Sequence, residues 1–190
     1  MTIVAGGCSF VWGSELPDSP HGGVNGYSRS TFPALLAKDS YVCLAYPGIG
    51  NREISKRVRD YLVRARTDQL IVMVCWTWPG RDGTINSNDA ILDLQRYLEH
   101  YKIPYIFTCA DNCIKTDNAE IKWEEWFWFP PGDPPYQTST PRGFYQWARE
   151  NKYLVGPEHH PLIEAHQDAA KLIQGKFDEL VKKIDKSRQN

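Results

Sequence analysis

A three-layer α/β/α sandwich built on a mainly parallel sheet is the fold class this sequence predicts, and three observations predict it. Four short apolar runs, 2–5, 41–45, 70–76 and 104–109, alternate with longer stretches of helical spacing. The third run, Leu70-Ile71-Val72-Met73-Val74-Cys75, is apolar throughout rather than alternating, as a strand covered on both faces must be. Finally, 190 residues with 42% hydrophobic content suit one domain, 1–190, with a core under three or four layers of secondary structure.

The first run, Thr2-Ile3-Val4-Ala5, leads into Gly6-Gly7-Cys8-Ser9-Phe10-Val11-Trp12-Gly13. A strand that ends this way delivers the Ser9 hydroxyl at its C-terminal end, where open α/β sheets place their chemistry. The flanking glycines let the backbone turn sharply and let a ligand approach closely. The plain structural alternative is a tight turn whose serine caps the next helix. The second run ends in Tyr46-Pro47-Gly48-Ile49-Gly50-Asn51, a tight strand-to-helix turn. Asn51 occupies the capping position of a helix over 51–66, which places Ile54, Val58, Tyr61, Leu62 and Ala65 on one face.

The third strand ends at Trp76, and Trp76 and Trp78 read as core or pocket wall. A second amphipathic helix, 86–101, carries Ile91, Leu94 and Leu98. After the fourth strand a Trp/Pro-rich stretch, 123–136, interrupts the alternation just where a fifth strand is expected. It is the centre of an insertion around 119–145, and its aromatics serve either a substrate wall or the core. The pairs Pro130-Pro131 and Pro134-Pro135 stiffen the loop that leaves it. From Ile163 apolar positions recur at helical spacing into a charged tail, 182–190. His166 lies on the apolar face of that helix beside Ile163 and Ala170, as a packing histidine does.

A net charge of −1 and a pI near 6.5 give no footprint for nucleic acid or an anionic membrane. No run reaches membrane-spanning length, and the N-terminus lacks the charged and apolar regions of a secretion signal. Cys8, Cys43, Cys75 and Cys109 fall in or beside strands, which reads as a reduced, cytoplasmic chain. Cys109 and Cys113 lack a second knuckle for structural zinc. Nothing in the sequence sets an oligomeric state.

Serine is a poor nucleophile near neutral pH unless an imidazole takes its proton and a carboxylate orients that imidazole. Gly156-Pro157-Glu158-His159-His160-Pro161 offers both just ahead of the last helix. A metal set of Glu158, His159, His160 and His166 uses the same residue types, as does a base with its orienter.

With these blocks the chain resembles the SGNH (GDSL-like) hydrolase family, and is similar to small phage-encoded forms. Gly7-Cys8-Ser9-Phe10-Val11-Trp12-Gly13 looks like the first family block, with Ser9 as nucleophile. Leu44 to Asn51 looks like the second, with Gly48 offering a backbone N–H to the oxyanion. His160-Pro161 looks like the last, with His160 as base. The resemblance implies the flavodoxin-like version of the sandwich and a serine esterase acting on an O-acetyl or other short acyl ester of a carbohydrate or small molecule. It calls for no cofactor and no metal.

Two departures stand out. The third-block asparagine is missing from Cys75-Trp76-Thr77-Trp78-Pro79-Gly80-Arg81, which leaves Asn51 or Arg81 as side-chain donors to the oxyanion and Trp78 beside the substrate. The family acid normally precedes the histidine by three residues, where Pro157 stands, so Glu158 is the nearest substitute. Acyl transfer to an alcohol, or a silent fold used for binding, are the alternatives; the Trp-rich wall favours the first and the two departures the second.

Overall fold

A computed structural model of the protein describes residues 1–19, 26–66, 69–83, 87–114, 118–130 and 142–189. Four parallel strands, β1 (Thr2–Gly7), β2 (Ser40–Cys43), β3 (Leu70–Trp76) and β4 (Tyr105–Cys109), form one sheet in the order β2-β1-β3-β4. After β1 the chain first steps to one side, to β2, and then crosses to the other, to β3. The C-terminal end of β1 therefore lies at the switch point where open α/β sheets form a crevice.

The strands are buried on both faces. Ile3, Ala5, Ile71, Met73 and Cys75 enter one core layer, and Val4, Val72, Val74 and Trp76 enter the other. The second layer is covered by α3 (Asn51–Leu62) and α4 (Ser87–His100), through Ile54, Val58, Ile91, Leu94 and Leu98. The first is covered by α2 (Phe32–Leu36), α5 (Phe144–Glu150) and α6 (Ile163–Gln189), which buries Ala165, Ala169, Ile173 and Phe177. The expected three-layer sandwich is present. No helix among the described residues is long and apolar enough to cross a membrane.

The Trp-rich stretch takes up the place of the expected fifth strand without becoming one. Phe127 N–H donates to Phe107 O at 2.8 Å along the free edge of β4, and the neighbouring side chains alternate as in a strand. Trp126 and Trp128 enter the α3/α4 layer, stacked at 5.1 Å, while Phe127 and Phe129 enter the layer under α6. The described aromatics of this stretch are thus core, with Trp123 beside them, and not a substrate wall. The second proline pair lies outside the described residues.

His166 is buried, 1% exposed, between the rings of Phe32 and Phe144, and its Nδ1 accepts the Phe32 N–H at 3.2 Å. Burial drives its pKa down to about 3, against a smaller opposing effect of a hydrogen bond to the Pro161 backbone, so the ring is neutral. All five cysteines are free, and among the described residues no group of three potential ligands could hold a metal ion.

Candidate active site

Ser9 opens α1 (Ser9–Trp12), directly after the end of β1. The turn needs glycine at position 7 for space: a Cβ there would lie 2.5 Å from Val11 Cγ2, because α1 folds straight back over the strand end. As the first residue of a helix, Ser9 has a backbone N–H with no partner inside that helix. Its side chain is buried, and among the described residues no hydrogen bond holds its hydroxyl.

Gly13 ends α1 in the left-handed conformation, φ 83°, with Ser28 packed so close that a Cβ would meet it at 2.4 Å. The chain then hooks through Glu15, itself left-handed at φ 66°. This hook turns the Glu15 carboxylate onto the segment before α6. Oε2 lies 2.7 Å from His160 Nδ1 and accepts the His160 backbone N–H at 3.2 Å, and both carboxylate oxygens receive the Glu158 N–H at 3.1 Å. The segment is shaped to match. A Cβ on Gly156 would lie 2.4 Å from Glu15 Oε1, and His159 adopts φ 63° so that the N–H groups on either side of it converge on one carboxylate.

The Glu15 and His160 side chains are only 6% and 11% exposed. Burial pushes the Glu15 pKa up, but the Glu158 N–H, the His160 ring and the His160 N–H outweigh it and leave the carboxyl below its usual value. An ionised carboxylate only accepts, so Nδ1 carries the proton and, in the neutral ring, Nε2 presents its lone pair. This is the tautomer a general base needs.

His160 meets Phe10, the residue after Ser9, edge to face at 5.4 Å. Trp78 and Tyr145 meet the same ring at 5.8 and 6.0 Å. Phe10 is thus a hub that gathers His160, Trp78 and Tyr145 around the end of β1.

Several expected site residues stand elsewhere. The acid on His160 is Glu15, in place of Glu158, which is exposed and whose backbone N–H donates to the Glu15 carboxylate in this tight loop. Asn51 neither caps α3 nor faces the site. Gly50 is the cap, and the fully buried Asn51 amide donates to Thr77 O at 2.8 Å and accepts Thr77 N–H at 2.7 Å, tying α3 to the end of β3. Gly48 is exposed at φ 79° with open space around it. Arg81 is exposed, with Cζ 5.0 Å over the Trp78 ring and Nη1 3.5 Å from Ile49 O. Glu15 had one sequence signal: it is the only acid in the first 17 residues, two positions past the Gly13 that ends the serine block.

No known protein-family profile and no curated protein matches this chain. A solved structure does: a protein from Desulfitobacterium hafniense DCB-2, whose given name places it in a lipolytic G-D-S-L family, is similar with a TM-score of 0.51 at 14% identity. The match covers 91% of this chain and 97% of the other. What this chain shares with a protein of G-D-S-L name is therefore the fold.

Proposed function

We propose that the protein is a serine hydrolase of SGNH type that cleaves an O-acetyl or other short acyl ester on a carbohydrate or small molecule. The observation that carries this reading is the 2.7 Å contact of Glu15 with His160 Nδ1, beside the hub ring that follows Ser9. Ser9 Oγ attacks the acyl carbonyl while His160 Nε2 takes its proton, and Glu15 holds the ring and stabilises the imidazolium. The backbone N–H groups of Ser9 and Gly48 receive the oxyanion. The proton then passes from Nε2 to the departing alkoxide, and a water molecule, deprotonated by the same nitrogen, releases the acid and restores Ser9. Hydrogen bonds between nucleophile and base are often long before substrate binds, which fits a Ser9 hydroxyl without a partner.

No observation favours acyl transfer, since the described tryptophans that would have walled off water pack into the core. Of the two departures that spoke for a silent fold, the shifted acid is accounted for by Glu15. A fluorophosphonate probe tests the reading: it should label Ser9 in the wild-type protein and leave folded Ser9→Ala unlabelled. Absence of labelling in folded wild-type protein, with no turnover of aryl acetates, would refute it.

A further inference from the structure

Two of the rings around Phe10 carry a guanidinium. Arg81 Cζ lies 5.0 Å from the centroid of Trp78, and Arg149 Cζ lies 5.7 Å from that of Tyr145. Both arginines are exposed, and among the described residues neither has a carboxylate within ion-pair distance.

Asp82, Glu15 and Asp111 are otherwise engaged. Asp82, next in chain to Arg81, accepts the N–H groups of Asn51 and Arg52 and the Ser87 hydroxyl. Glu15 faces inward to His160. Asp111 opposes Arg149 electrostatically from the end of β4, but burial holds its carboxyl above the usual value, against the Asn112 N–H and the Arg149 charge. Arg81 also reaches Ile49 O, beside Gly48, so it stands between the hub and the turn that offers the Gly48 N–H. A guanidinium laid on a ring is held in place while its N–H edge stays available, the arrangement that favours bidentate binding of carboxylate or phosphate.

Building on the hydrolase reading, we propose that the ester presented to Ser9 carries an anionic group, carboxylate or phosphate, beyond the scissile bond, and that Arg81 and Arg149, on two of the rings that meet Phe10, bind it. The Ser9→Ala protein allows the test without turnover. Its binding of 4-acetoxybenzoate, 4-acetoxyphenyl phosphate and neutral methyl 4-acetoxybenzoate is measured by calorimetry. One or both anions should bind about ten-fold more tightly than the methyl ester, as expected for one charge-assisted contact. The stronger anion identifies the group. Adding Arg81→Met and Arg149→Met, which keep the stems over the rings, should erase the preference, with Arg81→Gln alone reducing it. Equal binding of all three esters, or a preference undiminished without the arginines, would overturn the proposal. An anion preference in a wild-type protein that takes no fluorophosphonate would instead count against the hydrolase reading.

Discussion

Glu15 and His159 both hold left-handed backbone, φ 66° and 63°, which costs a side-chain-bearing residue about 1–2 kcal/mol. Two such residues bracketing one carboxylate and one imidazole mark a place where geometry is maintained against local preference. What offsets the strain is the Glu15 carboxylate itself, which gathers two backbone N–H groups and a ring nitrogen. Glu15→Gln should therefore lower kcat by about 10²- to 10⁴-fold, because an amide does not fix the tautomer with Nε2 free. Glu158→Gln should leave kcat near wild type, and steady-state kinetics on one aryl acetate decides between the two acids. Gly156→Ala tests the same contact from the other side: its Cβ would fall 2.4 Å from Glu15 Oε1 and displace the carboxylate. Its loss of kcat should add little to that of Glu15→Gln in the double variant, since both remove one interaction. Additive losses would mean that Gly156 acts elsewhere.

The helix α3 starts where two loops meet, and its capping comes from outside its own sequence. Gly50 is the N-cap and provides no side chain; the Asp82 carboxylate accepts the N–H of Asn51 at 2.9 Å and of Arg52 at 3.2 Å. A Cβ at residue 50 would lie 2.1 Å from Asp82 Oδ1, so the glycine is what lets the acid approach. Asp82→Ala should cost about 1–2 kcal/mol, as a lost cap does, read as a lower Tm. Asn51→Ala strips the Thr77 N–H and C=O of their buried partner at about 1–3 kcal/mol per group left unpaired. It should lower Tm further than Asp82→Ala, whereas an oxyanion donor would have lowered kcat at unchanged Tm. By position in the sequence Asn51 fits both a cap and a donor; that Thr77 meets it depends on where β3 ends, 26 residues on. The strands and the long helices were legible, since an apolar run or a 3.6-residue period is a local signal. The four-, five- and seven-residue helices α1, α2 and α5 were not, because so few turns display no period.

At the scale of the whole molecule, the places of Ser9 at a strand end and of His160 ahead of a helix start were legible in the sequence, and the contact of Glu15 with His160 was not. Glu15 and His160 are 145 residues apart, and what joins them is the docking of α6 on the face of the sheet that also carries α1 and α2. The same docking buries His166 against Phe32, and it gives the molecule a pH dependence with a definite sign. The neutral ring accepts the Phe32 N–H, and its pKa falls to about 3 in the folded state against 6.5 for a free histidine. Below pH 6.5 the unfolded chain takes up a proton that the folded chain refuses. The contribution of His166 is therefore complete above pH 6.5 and is lost as the pH falls from there toward about 3, at up to about 1.4 kcal/mol per pH unit. Carboxylates lose stability in the lower part of that window too, so the wild-type curve alone is not diagnostic. His166→Asn keeps an acceptor for the Phe32 N–H and does not titrate. It should be less stable than wild type at pH 7.5, and the difference in unfolding free energy, from urea titrations, should shrink steadily from pH 6.5 to pH 4.5. A difference that stays constant over that interval would show that His166 takes up its proton in the folded state as readily as in the unfolded one, and that the ring is not sealed between α2 and α6.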